Sequence, residues 1–143
     1  MDELDRAILG LLSGDARISL ATIARRLKVA RSTAQARLER LEITGIIAGY
    51  TVKLGEAAKA GRLRATVLVE IDLSVQPAIL GKLKAIPEVE RISTTSGRID
   101  LLLQIAANST QQLDQVLDTI GLISGVLNSE SLIHLTTKVD RAV

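Results

Sequence analysis

Hydrophobic residues recur at helical spacing through the first third of the chain. The first run follows Asp2, a suitable N-cap, and ends near Gly14. The second follows Ser19, and the third extends over residues 31–44, with Gly45 at a position typical of a helix C-terminus. The apolar faces comprise Leu4, Ala7, Ile8, Leu11 and Leu12; Leu20, Ile23, Ala24 and Leu27; and Ala34, Leu38 and Leu41. This spacing predicts three helices, the last two joined by a tight turn.

The pattern changes after the third helix. Residues 46–52 contain β-branched and aromatic side chains and predict a short strand, or wing. A segment rich in Gly, Ala and Lys then follows and predicts a linker. We therefore expect a first domain at residues 1–54, a linker at 55–63 and a second domain at 64–143.

The second domain combines alternating and helical patterns. Apolar residues alternate along the first predicted strand, at Val67, Val69, Ile71 and Leu73. Pro77 suits the first turn of a helix, and Pro87 ends it. The other predicted elements are strands at 89–96 and 99–106 joined by a hairpin turn at Gly97-Arg98, a helix at 109–123 and a strand at 126–137.

The order β-α-β-β-α-β predicts a ferredoxin-like fold, so the whole chain is of the α+β class. Two helices would cover one face of the sheet. The other face contains aliphatic side chains and has no cover, so we expect the protein to self-associate.

Composition and charge place polyanion binding in the first part of the chain. With 47% hydrophobic and 24% charged residues among 143, the sequence is typical of a globular protein. Residues 1–63 contain 11 Lys or Arg and 7 Asp or Glu, whereas residues 64–143 contain 7 and 9. Only the first part therefore has an excess of positive charge.

Residue types that are missing exclude several functions. Without cysteine there is no disulfide and no thiolate metal site, and the single histidine, His134, is expected to be a sheet-face residue without metal or nucleophilic partners. Tyr50 is the only aromatic residue, so base stacking on single strands has no platform. We expect no metal and no cofactor. An acidic start without a cationic leader and the lack of a long apolar run favour a cytoplasmic location.

The basic charge is concentrated on the second and third predicted helices. From Arg17 to Arg40 there are seven Lys or Arg and one acid, Glu39. With Ala34 placed inward, the outer side of the third helix presents side chains that suit a major groove, where Gln35 matches adenine. A solvated basic face is the alternative interpretation. Within the helix-turn-helix from Leu20 to Glu39 and just beyond it, the predicted DNA-binding residues are Arg25, Arg26, Lys28, Arg31, Ser32, Thr33, Gln35, Ala36, Arg37 and Arg40.

Four sequence blocks resemble the Lrp/AsnC (leucine-responsive/asparagine-synthase regulator, feast/famine) family of transcriptional regulators. They are LDRAIL at 4–9, DARIS at 15–19, ARLERLEITGIIAGY at 36–50 and SGRIDLLL at 96–103. The resemblance implies a winged helix-turn-helix followed by a ferredoxin-like domain that binds an amino-acid effector. It also implies homodimers that often assemble into octamers, and a role in amino-acid metabolism.

Two residues of the helix-turn-helix depart from the family pattern. Lys28 stands in the turn where similar proteins usually have Gly, and a left-handed backbone there would be strained by about 1 kcal/mol. Ala30 stands where a Ser commonly caps the recognition helix, a loss of about 1 kcal/mol. Both changes leave the basic surface in place.

The resemblance also implies an effector site at the second hairpin, formed by Ser96, Gly97, Arg98 and Asp100. Asp100 suits an α-ammonium group and Gly97 allows close approach of a carboxylate, although a turn glycine and a surface acid are the alternative. Arg98 suits either a ligand carboxylate or an ion pair between dimers.

Three functions fit these observations to different degrees. The first is a transcriptional regulator that binds duplex DNA as a dimer. The second is an architectural DNA-binding protein with little sequence specificity and no effector. The third, an enzyme similar to the sirohaem decarboxylase subunits, is disfavoured because such a site needs several histidines. We therefore expect no enzymatic activity.

Overall fold

The computed structural model of the protein describes residues 1–142, which form two compact units. One consists of Met1–Lys53 with Arg141 and Ala142, and the other of Leu54–Asp140. We refer to them as the helical unit and the α+β unit. Within the described part of the chain, every helix is too short or too polar to cross a bilayer.

The helical unit contains the three predicted helices, α1 (Glu3–Gly14), α2 (Leu20–Leu27) and α3 (Arg31–Ile43). Asp2 caps α1 in a reciprocal capping box with Asp5, and Ser19 caps α2 by accepting from the Thr22 backbone N–H. Ile8, Ile23 and Leu41 from the three helices are fully buried against one another, with Ala24 and Ala34 beside them. The predicted hydrophobic faces are therefore confirmed.

The segment after α3 forms no strand, so the strand or wing predicted at residues 46–52 is wrong within this chain. Gly45 turns the backbone at φ 76°, and the Ile47 N–H donates to Leu41 O at 2.9 Å. Beyond that bond, Tyr50 and Val52 are 53% and 78% exposed. A strand needs a hydrogen-bonded neighbour, and the described part of the chain provides none here.

The α+β unit has the β-α-β-β-α-β order that the sequence predicts. Its elements are α4 (Glu56–Lys59), β1 (Leu63–Ile71), a 3-10 turn (Leu73–Val75), α5 (Gln76–Lys84), β2 (Val89–Thr94), β3 (Leu101–Ala107), α6 (Thr110–Gly121) and β4 (Val126–Ile133). The four strands form one antiparallel sheet in the order β2-β3-β1-β4. The short helix α4 lies inside the linker predicted at residues 55–63. Strand β1 begins at Leu63, the last residue of that linker.

One face of the sheet packs on α5 and α6 to form the core. Ala65, Val67, Val69 and Ile71 alternate inward along β1, and Leu103 of β3 lies among them. The core is completed by Leu101, Ile105, Ala107, Ile79, Leu83, Leu113, Val116, Ile120 and Ile123.

The opposite face of the sheet, which we call the open face, is not covered by any described helix or strand of the α+β unit. Leu68 of β1 and Leu102 of β3 are half-buried partners across the sheet, and Leu132 of β4 is 48% exposed. Thr66 hydrogen bonds both to Gln104 and to His134, at 3.4 and 2.8 Å. The open face therefore combines aliphatic and polar side chains.

Three details of the predicted second domain are wrong. Leu73 is not an inward strand residue: it lies in the 3-10 turn and is 63% exposed, because the Asp72 side chain caps that turn and ends the strand. β2 and β3 are joined by the six residues 95–100 rather than by a two-residue turn at Gly97-Arg98. β4 ends at Ile133, so His134 lies just beyond the strand that was predicted to include it.

Gly125 is the glycine whose replacement should damage this fold most. Its φ is +97°, and an added Cβ would lie 2.6 Å from Val75 Cγ2 and 2.9 Å from Ile79 Cδ1. Gly125→Ala should lower the free energy of unfolding by about 2–4 kcal/mol, because left-handed strain and overpacking act together. Urea unfolding followed by far-ultraviolet circular dichroism measures this change.

Gly81→Ala is the matched control. Gly81 lies inside α5, and an added Cβ would meet nothing within 4 Å. The substitution should raise the free energy of unfolding by about 0.5–1 kcal/mol through helix propensity. Equal effects of the two substitutions would contradict the packing assigned to Gly125.

Candidate nucleic-acid interface

A tight turn built on Lys28 joins α2 to α3. Lys28 has φ 56° and ψ 44°, the left-handed conformation, and it is the only non-glycine residue with positive φ among residues 1–142. Its N–H donates to Arg25 O, while the N–H of Val29 donates to Ala24 O at 3.0 Å. These two bonds form a Schellman motif, which ends α2 sharply. Lys28 therefore has the left-handed backbone for which a strain of about 1 kcal/mol is expected.

The first turn of α3 is left without a side-chain cap. Ala30 occupies the N-cap position and makes no capping hydrogen bond, as its methyl side chain requires. The backbone N–H groups at the start of α3 therefore depend on water or on a ligand. An exposed helix N-terminus with free N–H groups attracts phosphate.

Four side chains form what we call the outer strip of α3: Ser32, Gln35, Ala36 and Glu39. All four are exposed, whereas Ala34 on the opposite side is buried. Gln35 Nε2 donates to Glu39 Oε1 at 3.0 Å. The small side chain of Ala36 leaves the backbone accessible in the middle of the strip.

Cationic and hydroxyl side chains lie beside the outer strip. Arg25 and Arg26 are exposed near the end of α2, Lys28 is exposed in the turn, and Arg31 and Thr33 are exposed in the first turn of α3. Arg40 is exposed as well, so the structure places nine of the ten predicted DNA-binding residues, all except the half-buried Arg37, on the exposed surface of α2, the turn and α3.

Arg37 and Arg40 are different, because carboxylates of α1 engage both. Arg37 forms ion pairs with Asp2 and, at 3.3 Å, with Asp5 Oδ1. Arg40 Nη2 lies 2.7 Å from Asp5 Oδ2. We call these four residues the ion cluster. The Asp5 side chain is fully buried, and it also accepts from the Asp2 backbone N–H at 3.1 Å.

The ion cluster shifts the pKa values of Asp2, Asp5 and Arg37. The hydrogen bond from Arg37 is the largest cause that lowers the pKa of Asp2 to about 2. Burial by itself would raise the pKa of Asp5, but the Asp2 N–H, the Arg37 hydrogen bond and the charge of Arg40 together lower it. The bond to Asp2 raises the pKa of Arg37. Asp2, Asp5 and Arg37 are therefore charged near neutral pH.

The sequence contained only part of the signal for this cluster. The sequence predicts Asp2 as a helix cap, but the spacing of apolar residues along α1 does not predict that Asp5 is buried against α3. A count of charges along the sequence predicts that Arg37 and Arg40 contact DNA, because such a count does not distinguish an arginine that is paired with an acid from one that is not. Both arginines hold the ion cluster together, while the Arg40 side chain stays 54% exposed, and their contact with DNA remains a prediction.

The predicted effector residues lie in the loop 95–100 of the α+β unit. Gly97 has φ 108°, and the Thr95 N–H donates to Asp100 O at 3.0 Å. The Asp100 side chain accepts from the Ile71 N–H at 2.9 Å, so it also holds the end of β1. Ser96 is exposed beside Gly97.

Arg98 and His134 have partners within the same unit. Arg98 Nη2 lies 3.8 Å from Glu130 Oε2 on β4, and both side chains are more than half exposed. Such a pair is weak and exchanges readily with solvent or ligand. His134 Nε2 shares a hydrogen bond with Thr66. Between Met1 and Ala142, no three His, Cys, Asp or Glu side chains gather in a way that would hold a metal ion.

A helix-turn-helix is an element with which DNA-binding proteins enter the major groove, and in this chain a separate α+β unit follows it. Residues 1–42 match the AsnC-type helix-turn-helix domain, and residues 64–143 match the Lrp/AsnC ligand binding domain. The chain belongs to the Lrp/AsnC family of transcriptional regulators, as the sequence blocks indicated. It is accordingly a regulator and not an enzyme.

Two relatives, from Saccharolobus solfataricus and Pyrococcus horikoshii, share nearly the full length of the chain. The HTH-type transcriptional regulator LysM of Saccharolobus solfataricus is 33% identical over 138 residues, which are 96% of this chain and 95% of that protein. An uncharacterized HTH-type transcriptional regulator of Pyrococcus horikoshii is 30% identical over 139 residues, with 96% and 88% covered.

Solved structures confirm the fold. E. coli AsnC superposes with a TM-score of 0.90 at 26% identity, covering 100% of this chain and 97% of AsnC. A transcriptional regulator from Neisseria meningitidis, in complex with L-Met, gives a TM-score of 0.88 at 25% identity, with 98% and 93% covered.

Acid should destabilise the helical unit through the ion cluster. Asp2 and Asp5 have lowered pKa values, so their contribution to stability is complete above the ordinary value of 3.8. It is lost as the pH falls from 3.8 toward 2. Urea midpoints measured at about pH 6, 4, 3 and 2 by Tyr50 fluorescence test this, since the only aromatic residue lies in this unit.

The double substitution Arg37→Gln, Arg40→Gln is the control for this experiment. Without the two guanidinium groups, the carboxylates should return toward their ordinary pKa values, and the loss of stability between about pH 4 and 2 should shrink. Parallel pH profiles of the two proteins would show that the ion cluster does not contribute to acid sensitivity.

Proposed function

We propose that the helical unit binds duplex DNA through α3 in the major groove, with Arg25, Arg26, Lys28 and Arg31 on the phosphates. The observation that carries this proposal is the exposed outer strip of α3 with cations beside it. Gln35 offers an amide to adenine, and Ser32 and Thr33 offer hydroxyls at the helix start. In this proposal residues 1–54 bind DNA, 55–63 connect, and 64–143 bind the effector and assemble.

Assembly through the open face of the sheet is the second part of the proposal. Leu68, Leu102 and Leu132 lie on that face without a covering layer, and a second copy would bury them. A two-fold dimer would present two copies of α3, about 34 Å apart, to a palindromic site. We expect a homodimer that assembles further to an octamer, acting in the cytoplasm.

An amino acid is the proposed effector, and the loop 95–100 is its proposed site. The regulator from Neisseria meningitidis that shares this fold was solved with L-Met, which supports this ligand class. Arg98 is held only by a weak, exposed pair, so it is available to a ligand carboxylate. Such a ligand would make the protein a regulator of amino-acid-related metabolism.

DNA binding is tested by paired substitutions and salt titration. Lys28→Gly should reduce the slope of log K against log salt by about 1, because it removes one phosphate contact. The same change should stabilise the helical unit by about 1 kcal/mol, because Gly relieves the left-handed strain. Arg40→Ala, the matched control, should leave the salt slope unchanged. Fluorescence anisotropy with a labelled duplex measures the salt slopes, and urea unfolding measures the stability.

Three results would contradict this assignment. An unchanged slope for Lys28→Gly would show that the turn does not face phosphate. A reduced salt slope for Arg40→Ala would show that Arg40 contacts DNA. Equal affinity for the protein's own promoter and for random duplex would instead favour the architectural function.

The effector site is tested by a thermal-shift screen of the twenty amino acids. A ligand that binds the folded protein raises Tm, by mass action. Arg98→Ala should abolish the shift, whereas Arg91→Ala, an exposed arginine on β2, should keep it. Asp100→Ala is a poor probe, because losing the bond to Ile71 lowers stability by itself. A shift that persists in Arg98→Ala would exclude this site.

A further inference from the structure

The outer strip of α3 has an acidic side chain where duplex DNA would favour a basic one. Glu39 is exposed and lies on the same side of α3 as Ser32, Gln35 and Ala36. No other acid occurs between Arg17 and Arg40. Since Arg37 and Arg40 are engaged by the ion cluster, the middle of the strip carries a net negative charge. Among the exposed cations of α2, the turn and α3, Arg40 alone lies beyond Arg31, and it is paired with Asp5.

A carboxylate in this position lowers affinity for DNA in general. With α3 in the major groove, as proposed above, it would face the phosphates across the groove and add repulsion to every duplex, whatever its sequence. Such a group favours binding only where a base presents a donor to it. A carboxylate that is repelled by every duplex and attracted by a base at one position produces sequence specificity.

The hydrogen bond between Gln35 and Glu39 orients both side chains. Gln35 Nε2 donates one proton to Glu39 Oε1 at 3.0 Å, which leaves the amide with one N–H and its carbonyl oxygen. A donor and an acceptor are what the major-groove edge of adenine requires. The carboxylate of Glu39 keeps acceptor capacity, which matches the exocyclic amino group of cytosine.

The spacing of the two residues sets the distance between their bases. Four residues of α-helix advance about 6 Å along the axis, which corresponds to about two base-pair steps. Ala36 lies between them and allows the helix backbone to approach the groove closely. The two side chains therefore reach neighbouring or next-neighbouring base pairs.

We propose that Glu39 is a specificity-determining residue, which selects a cytosine within about two base pairs of the adenine contacted by Gln35. This inference rests on the sequence-specific DNA binding proposed above. Glu39 lowers the affinity for random duplex and raises the preference for one base at one position.

The test is selection of bound duplexes from a random library of about 20 base pairs, or two turns of B-DNA, by the full-length protein. The wild type should enrich cytosine at one position by about tenfold over the other bases. Glu39→Gln should change the preference at that position from cytosine to adenine, and Glu39→Ala should remove it. Both variants should bind random duplex more tightly than the wild type.

Glu42→Gln is the matched control, because it removes the same charge from the last turn of α3. It should leave the enriched sequence unchanged. Retained binding of random duplex by each variant shows that it is folded.

Three outcomes would overturn the inference. If Glu39→Gln and the wild type enrich the same sequence, Glu39 does not contact a base, although DNA binding by α3 stands. If Glu39→Gln loses binding to every duplex, the residue is structural. If the wild type enriches no sequence, both this inference and sequence-specific binding fail.

Discussion

The buried carboxylate of Asp5 is the constraint on which the helical unit depends. A charge with no exposed surface is tolerated only when it is paired and hydrogen bonded, and α3 supplies the two guanidinium groups that pair it. The same contacts tie α1 to the flank of α3 that carries Arg37 and Arg40. Removing one partner would leave the other charge buried and uncompensated, so the helices are held in one relative orientation.

This constraint redistributes the charge that the sequence concentrates on the helix-turn-helix. Arg37 and Arg40 pair with acids at the start of α1, and the other cations of the helix-turn-helix lie in α2, the turn and the start of α3. Lys28 occupies a left-handed position that glycine would occupy with less strain, so the turn carries an exposed cation. The outer strip itself is neutral to acidic. We infer an interface in which phosphate contacts supply affinity and the strip supplies selectivity.

In the loop 95–100 of the α+β unit, too, one charged side chain has a structural partner and another is only weakly held. Asp100 secures the end of β1 through the Ile71 N–H, so only part of that carboxylate is left for a ligand. Arg98, in contrast, is held by one exposed pair. The loop is longer than the two-residue turn expected, because Thr95 and Asp100 rather than Gly97 and Arg98 close it.

The sequence by itself determined the elements and the family. Helical and alternating periodicities located three helices, the β-α-β-β-α-β order and most core positions, because those patterns depend on local geometry and on burial of one face. It failed at residues 46–52 and at Leu73, where strand-forming residues meet no neighbouring strand. Only the tertiary structure decided which arginines pair with acids and which remain exposed. Those pairings join α1 to α3. The paired residues are separated by 32 or 35 positions in the sequence, so no periodicity along the chain predicts them.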